Sequence, residues 1–266
     1  MKLSGIKILI VTISCVAFKL NATPLVEDDN WGQTGHRVVG YIAEANLSKK
    51  ALKKINKLLG GHSIAYYSTY ADEIKSDRAY DKYSPWHYVN YPMNETYKAE
   101  KAAEEGDLAQ GIQKCIQVIK SKNSSDSDKA FHLKLLIHFI GDLHQPLHVG
   151  RSEDRGGNNI KVKWFSSSSN LHRVWDSNLI ESWGMDAKSL SDELMRGTSV
   201  NQRNSYAKGS ALDWIEESHQ IVQTIYDSAQ DGDRLSYRYS YDHNSLLFDQ
   251  LRKGGYRLAK LLEELF

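Results

Sequence analysis

The segment from His138 to His148, HFIGDLHQPLH, places histidine and aspartate side chains at spacings that suit metal binding. On a helix, four residues at i, i+4, i+7 and i+11 would share one face: Phe131, Leu135, His138 and Asp142. An imidazole and a carboxylate would therefore occupy the stripe that Phe and Leu would bury. Buried ionisable groups are costly unless they are paired or bind a metal. The pattern indicates either a buried His–Asp hydrogen bond or a metal site.

Mixed groups of histidine and aspartate recur elsewhere in the chain. His172 and Asp176 repeat the His-x3-Asp spacing, and three further candidates lie in the segments WGQTGH, ADEIK and PWHYVN: His36, Asp72 and His87. With His138, Asp142 and His148 they make five histidines and three aspartates, more than one tetrahedral ion needs. Two or three ions sharing a carboxylate would form a clamp for phosphoryl displacement. The residues therefore favour a multinuclear zinc hydrolase.

The elements that must position these residues are predicted to be mainly helical. Helical periodicity is found over 35–59 with a break near 46–48 and Ser48 as an N-cap, and over 63–75, 107–121, 129–144, 205–229 and 244–265. Pro146 would end the central helix and let the chain turn His148 back towards it. After the turn-forming Gly156-Gly157, alternating apolar residues predict a short β-ribbon.

Composition excludes several classes of protein. The 266 residues carry 34 Lys+Arg and 33 Asp+Glu, a net charge of +1, so binding of nucleic acid cannot depend on a strongly basic surface. Two cysteines, Cys15 and Cys115, exclude a disulfide framework and a cysteine-rich zinc site.

The first residues are typical of a targeting signal. Lys2 and Lys7 precede an uncharged stretch of eleven residues, 8–18, too short to span a bilayer. We predict a signal peptide over 1–22, a short extension over 23–30, a single helical domain over 31–266, and a secreted or periplasmic location. A buried N-terminal helix and a lipoprotein anchored at Cys15 are the alternatives.

Six blocks, in this order, carry a resemblance to a known family: WGQTGH, ADEIK, PWHYVN, HFIGDLHQPLH, GGN and NLHRVWD. From Trp31 to its end the chain resembles the zinc-dependent single-strand nucleases of plants and fungi, the type I nucleases or 3′-nucleotidases. The resemblance implies a mainly α fold shared with zinc-dependent phospholipase C, and three zinc ions in one cleft.

The resemblance also implies a role for each candidate ligand. One ion would be held by Asp72, His87 and His138, with Asp142 bridging to a second, and a hydroxide between these two ions would be the nucleophile. The second ion would take His36 and the backbone amine and carbonyl of Trp31. The third would be held by His148, His172 and Asp176. His144 is expected to bind no metal but to form a hydrogen bond behind the ligands.

Four residues match substrate-binding positions of that family. Tyr88 would stack on a base and Asn90 would read its edge, while Lys75 and Asn158 would contact the scissile phosphate. Stacking requires an unpaired base, which explains a preference for single strands. The alternatives are core packing for Tyr88, a solvated surface position for Lys75, and a turn-stabilising role for Asn158.

We therefore predict an endonuclease that hydrolyses single-stranded DNA and RNA to 5′-phosphorylated products and also acts on 3′-nucleotides. A monomer with no obligate protein partner and no membrane association is expected. A phosphodiesterase acting on phospholipid head groups and a non-enzymatic zinc-binding protein are the competing hypotheses. One departure from the family pattern is that residues 23–30 would precede Trp31 after signal cleavage, and an internal peptide nitrogen is a poor zinc ligand.

Overall fold

The computed structural model describes residues 32–266, and helices make up most of this part of the chain. The α-helices are α1 (Gln33–Ala45), α2 (Lys49–Leu58), α3 (Ile64–Tyr67), α4 (Tyr70–Glu73), α5 (Leu108–Lys120), α6 (Asp126–Leu143), α7 (Leu171–Arg173), α8 (Leu179–Glu181), α9 (Ala187–Arg196), α10 (Val200–Tyr206), α11 (Ala211–Tyr226) and α12 (Tyr237–Leu265). Short 3-10 helices cover Ile74–Ser76, Arg78–His87, Ala99–Lys101 and Pro146–Val149, and a π-helical turn covers Val174–Asn178. In this described part, no helix combines the length and apolar character needed to cross a bilayer.

Helix α6 lies at the centre of the molecule. Every residue from position 135 to 143 is buried, because α1, α4, α5 and α12 all pack against this helix. It begins at Asp126, three residues earlier than predicted, because the Ser125 hydroxyl accepts the N–H of Asp128 as an N-cap and two aspartates complement the helix dipole. Any polar side chain in this buried stretch must find its partner inside the protein.

The helices α1 and α2 confirm the prediction over 35–59, and the Ser48 hydroxyl caps α2 by accepting the N–H of Ala51. The single helix predicted over 63–75 is wrong, because the chain forms α3, α4 and a 3-10 turn. The break between α3 and α4 leaves the Ser68 carbonyl outside the helical hydrogen-bond ladder. That carbonyl accepts a hydrogen bond from His138 Nδ1 instead (2.7 Å).

The two C-terminal helices also differ from their predicted bounds. The segment 205–229 is interrupted, because Gly209 has φ +90° and Ser210 forms a capping box with Asp213 at the start of α11. Helix α12 begins at Tyr237, whereas the apolar periodicity predicted a start at residue 244. The predicted core position of Cys115 is confirmed, since its side chain is fully buried on α5.

The predicted ribbon is confirmed and belongs to a three-stranded sheet in the order β2–β1–β3. Strand β1 (Lys161–Trp164) pairs antiparallel with β2 (Ser167–Asn170) and parallel with β3 (Arg234–Leu235). The apolar residues of β1 face inwards and its lysines face solvent. The sheet fixes the C-terminal end of the loop that precedes β1, and the functional site uses this loop.

Candidate metal centre

Eight histidine and aspartate side chains come together in three groups, and within each group the potential ligand atoms lie within 4.8 Å of one another. The groups are His36, His138 and Asp142; Asp72, His87 and His138; and His148, His172 and Asp176. The side chains come from α1, α4, α6, α7, two 3-10 helices and the π-helical turn. Segments far apart in the sequence thus meet at the buried end of α6.

Asp142 lies at the centre of this arrangement and is fully buried. Its Oδ2 atom is 3.0 Å from His87 Nδ1 and 3.2 Å from His138 Nε2. Its Oδ1 atom is 3.4 Å from both His36 Nε2 and His148 Nδ1. One carboxylate therefore contacts four imidazoles, two with each oxygen, which is the geometry that a bridging ligand needs.

A glycine allows α1 to deliver its histidine so close to α6. A Cβ atom at Gly141 would lie 2.5 Å from His36 Nδ1, closer than any side chain tolerates. The His36 ring instead stacks on His138, with ring centroids 3.9 Å apart. Gly141 lies next to Asp142, so the absence of a side chain there lets His36 reach the Asp142 carboxylate.

The third group forms where the chain turns after α6. The 3-10 helix Pro146–Val149 directs His148 back towards the end of α6, as the position of Pro146 predicts. Asp176 then lies between two imidazoles, with Oδ1 at 3.4 Å from His148 Nε2 and Oδ2 at 3.1 Å from His172 Nε2. The His-x3-Asp spacing at 172–176 therefore does place both side chains on one face.

Backbone carbonyls orient three of the imidazoles through hydrogen bonds of 2.7 Å. The donor–acceptor pairs are His138 Nδ1 to Ser68 O, His148 Nδ1 to His87 O, and His172 Nδ1 to Gly156 O. A carbonyl can only accept, so each Nδ1 carries a proton, and each Nε2 is the ring nitrogen that faces the carboxylates. This is how metal-binding histidines are usually held.

The charges of the groups depend strongly on one another. Burial alone would raise the pKa of Asp142, but His138 and His148 hold that pKa well below its usual range. Burial alone would lower the pKa of His138, but Asp142 and Asp72 raise it to about 10. Asp142 and Asp176 likewise raise the pKa of His148 to about 9 against the effect of burial. The site thus combines ionised carboxylates with two imidazoles, His138 and His148, whose protonation these carboxylates favour.

Several buried atoms of these groups form no hydrogen bond within residues 32–266. They are both carboxylate oxygens of Asp142, Oδ2 of Asp176, and Nε2 of His87 and His148. Unsatisfied buried polar atoms are rare and call for an explanation, such as an ion. Imidazole and carboxylate together suit zinc. The three groups could therefore hold metal ions, and their donor atoms fit that role.

Two of the three groups open into a cleft of about 490 Å³, and the remaining group, which shares His138 with one of them, is buried. His87, His148 and His172 form part of its wall, and all four predicted substrate-binding residues line it: Lys75, Tyr88, Asn90 and Asn158. Tyr88 is 48% exposed, so the alternative of core packing is wrong for this side chain. Lys75 Nζ lies 2.9 Å from Asp72 Oδ1. Asn158 donates to its own turn at Arg155 O, while its buried Oδ1 accepts no hydrogen bond from any residue of the described part of the chain.

Comparison with known proteins decides the family. The family model described as S1/P1 Nuclease matches residues 31–266. This chain belongs to the S1/P1 nuclease family. It is 29% identical to Endonuclease 2 of Arabidopsis thaliana over 97% of each chain, and 28% identical to Nuclease S1 of Aspergillus oryzae over 88% of this chain and 91% of that one. It is also 28% identical to Nuclease P1 of Penicillium citrinum, over 88% and 97%.

Membership of the S1/P1 nuclease family confirms the resemblance drawn from the six sequence blocks, and the mainly α fold with a small sheet agrees with it. The protein is a nuclease, a hydrolase acting on nucleic acids. The His/Asp groups and the cleft then form the candidate active site of an S1/P1 nuclease.

Sequence reasoning missed one residue that shapes the third group. The amide of Gln145 is fully buried, donates to Asp176 Oδ1 (2.5 Å) and accepts the N–H of Leu147 (2.6 Å). It therefore caps the turn that carries His148 while it orients Asp176. The available signal was a polar side chain placed directly before the proline that begins the turn.

The expectation for His144 needs correction. It forms no hydrogen bond to a candidate ligand side chain within residues 32–266, and its ring instead donates to Ile140 O and accepts from Arg257 Nη1 at 3.0 Å. The reason is helical geometry, because a residue two positions after Asp142 points about 200° away from it. His144 thus joins α6 to α12 on the side remote from the cleft.

Proposed function

We propose that this nuclease is a zinc-dependent enzyme that hydrolyses single-stranded DNA and RNA to 5′-phosphorylated products and removes phosphate from 3′-nucleotides. The observation that supports it best is the cleft whose wall combines histidines of two adjoining His/Asp groups with an exposed aromatic side chain, Tyr88. Multinuclear His/Asp sites suit phosphoryl transfer, and an exposed ring suits an unpaired base.

Three zinc ions are proposed, one for each His/Asp group, with Asp142 shared between two of them. When bound, they would activate a water molecule at neutral pH and offset the charge of the phosphoryl group. Trp31, the proposed backbone ligand of the second ion, lies outside the described residues. The next residue, Gly32, donates its N–H to the carbonyl of Asp176 (2.8 Å), which supports a position of the chain beside the site.

Residues of the cleft have distinct proposed tasks. Tyr88 stacks on the base of the nucleotide whose 3′-oxygen leaves, and Asn90 accepts or donates a hydrogen bond at its edge. Lys75 and Asn158 bind the scissile phosphate. A paired base has both faces covered by its neighbours in the duplex and cannot stack on Tyr88, so the site selects single strands.

A secreted or periplasmic location is proposed from residues 1–22, and the alternative anchor at Cys15 falls in the same segment. Both lie outside the described residues, as does the extension over 23–30. A single domain over 31–266, acting as a monomer without an obligate protein partner or a membrane, stays a prediction.

The deciding experiment compares three substrates with purified protein: heat-denatured DNA, duplex DNA and a short-chain phosphatidylcholine. Each is tested after chelation and again after addition of zinc. Cleavage of denatured DNA that chelation abolishes and zinc restores would support the proposal. Cleavage of the lipid without cleavage of DNA would favour the phospholipid reaction, and no hydrolysis of any substrate would favour a zinc-binding protein without activity.

Replacement of Tyr88 with alanine is expected to raise KM for single-stranded DNA by roughly tenfold to a hundredfold with little change in kcat, because base stacking contributes ~1–3 kcal/mol. The zinc content should stay unchanged, since Tyr88 is exposed and no part of a His/Asp group. Tyr88→Phe is the control, because it keeps the ring. Loss of zinc from the alanine variant would assign Tyr88 a structural role instead.

Zinc binding is expected to release about two protons at pH 7. In the metal-free protein the pKa values of His138 (about 10) and His148 (about 9) keep both imidazoles protonated at that pH, and only neutral imidazole binds zinc. The apparent affinity should therefore rise as the pH rises from 6 to 8. Calorimetric titrations in buffers of different ionisation enthalpy count the protons. Binding that is independent of pH would contradict the assignment, and His148→Asn should release one proton fewer.

A further inference from the structure

Arg155 has a backbone conformation that is unusual for its type. Its φ is +56°, in the left-handed region that favours glycine, and it immediately precedes Gly156 and Gly157, which share that region. The loop is fixed in this shape by the buried Asp154, whose Oδ1 accepts the N–H of Gly157 (2.8 Å) and whose Oδ2 accepts Nε–H of Arg151 (2.6 Å). A third glycine would satisfy the backbone better, so the arginine side chain needs a separate reason.

The side chain of Arg155 lines the active-site cleft. Two side chains in the wall of this cleft, Lys75 and Arg155, carry a full positive charge. Of these, Lys75 donates a hydrogen bond to the Asp72 carboxylate. Within residues 32–266, no hydrogen bond or ion pair engages the guanidinium of Arg155, and the carboxylate of the adjacent Asp154 is already occupied. The guanidinium of Arg155 thus lies at the cleft without an acidic partner among the described residues.

The loop that holds Arg155 is connected to the third His/Asp group. The carbonyl of Gly156 accepts Nδ1–H of His172 (2.7 Å), and a Cβ atom at Gly156 would lie 2.4 Å from the carbonyl oxygen of Leu147. Arg155 therefore directly precedes a glycine whose backbone contacts His172 of the third His/Asp group and lies close to the carbonyl of Leu147. Lys75, by contrast, is bonded to a candidate ligand itself, which places it at the scissile phosphate. Arg155 lines the same cleft and, within residues 32–266, has no hydrogen bond or ion pair to any candidate ligand.

We propose that Arg155 binds a phosphate that flanks the scissile phosphate in a bound strand, and so makes the enzyme prefer oligonucleotides to shorter substrates. The inference rests on the proposed nuclease function. Guanidinium is the side-chain group that best matches phosphate, because its planar fork donates two parallel hydrogen bonds. The two oxygens it would meet belong to a linkage that is not cut, so Arg155 affects substrate selection and not the bond-breaking step.

Dinucleotides that differ only in their terminal phosphates test this directly. The substrates are TpT, pTpT and TpTp, and the proteins are wild type, Arg155→Ala, Arg155→Lys, Arg155→Gly and the control Arg196→Ala. The initial rate of cleavage of the internal linkage is measured, because the proposed 3′-nucleotidase activity would also remove the terminal phosphate of TpTp. Arg196 is an exposed arginine on α9 that pairs with Glu193 and lies outside the cleft wall. We expect Arg155→Ala to lower kcat/KM by roughly tenfold at low salt for pTpT, TpTp or both, and to leave TpT unchanged.

The other variants separate binding from backbone strain. Arg155→Gly should lose the preference for a flanking phosphate, as the alanine variant does. Its melting temperature should nevertheless be higher than that of Arg155→Ala, because glycine adopts a positive φ without strain. Arg155→Lys should keep part of the preference. An equal loss on TpT, or no loss on any substrate, would overturn the proposal, because the first outcome assigns Arg155 to the scissile phosphate or the fold.

A binding measurement keeps the proposal independent of hydrolysis. In chelator, where hydrolysis is arrested, fluorescence anisotropy of labelled pentathymidylate should show roughly tenfold weaker binding by Arg155→Ala than by wild type or Arg196→Ala. The slope of log affinity against log salt should fall by about 0.7, as expected for one lost phosphate contact on a single strand. Unchanged binding would overturn the role of Arg155. A wild type that binds through Arg155 but hydrolyses nothing would instead contradict the proposed nuclease reaction.

Discussion

Replacement of Asp142 with asparagine is expected to abolish hydrolysis of single-stranded DNA, with a loss of at least roughly 10³-fold in kcat. The carboxylate is fully buried and contacts four imidazoles, two through each oxygen. An amide of the same shape is neutral and offers only one acceptor atom, so it cannot bridge two cations. The measurement is the steady-state rate of the purified variant with zinc in excess.

The same variant should also lose metal, and a second variant provides the comparison. Asp142→Asn removes a shared ligand and should lower the zinc content at two of the three groups. Asp176→Asn removes a ligand of the third group alone and should lower the zinc content at one group, because within residues 32–266 the Asp176 carboxylate contacts no candidate ligand besides His148 and His172. Zinc per chain is measured by elemental analysis on folded protein. A fully active Asp142→Asn variant, or equal zinc loss in the two, would contradict the bridging role.

Much of this site could be predicted because helical periodicity acts over short distances. The spacing of His138 and Asp142 behind Phe131 and Leu135 places them on one face of α6, and the structure buries both polar side chains. The Pro146 turn brings His148 back to the same point for an equally local reason. For α6, the predicted helix exists and only its start shifts, by three residues to Asp126.

Other features depend on partners that are distant in sequence and could not be predicted. The break between α3 and α4 makes sense only with His138, 70 residues away, which takes the freed carbonyl of Ser68. Strand β3 has two residues and exists because it pairs with β1 across a gap of about 70 positions. The positive φ of Arg155 also leaves no signal in the sequence, because arginine does not favour it.

The contacts of Asp142 with His138 and His148 have a consequence for metal binding. In the metal-free protein, His138 and His148 carry positive charge beside an ionised Asp142, so protons take the place of the cations. We therefore expect the proposed zinc ions to displace protons from these imidazoles when they bind.

Replacement of Lys75 with methionine is expected to lower kcat by roughly 10²-fold to 10³-fold, with a much smaller change in KM. Lys75 lines the cleft, its side chain is 30% exposed, and its ammonium lies 2.9 Å from Asp72 Oδ1. In this position it can turn from the carboxylate towards a phosphate oxygen whose charge grows as the bond breaks. Such an interaction is stronger in the transition state than in the bound substrate, so its loss appears in kcat. Single-turnover rates on a 3′-nucleotide and on denatured DNA would measure it.

The contact with Asp72 gives Lys75 a second possible role, and the zinc content distinguishes the two. If Lys75 acts on the phosphate, Lys75→Met keeps its full zinc, because Asp72 still meets His138 at 3.3 Å and His87 at 3.5 Å. Lys75→Arg, which keeps the charge, should then recover part of the lost rate. If Lys75 instead holds Asp72 in place, zinc and activity fall together and added zinc restores both. A variant with unchanged kcat would show a solvated surface lysine, and the scissile phosphate would then depend on Asn158 and the metal ions alone.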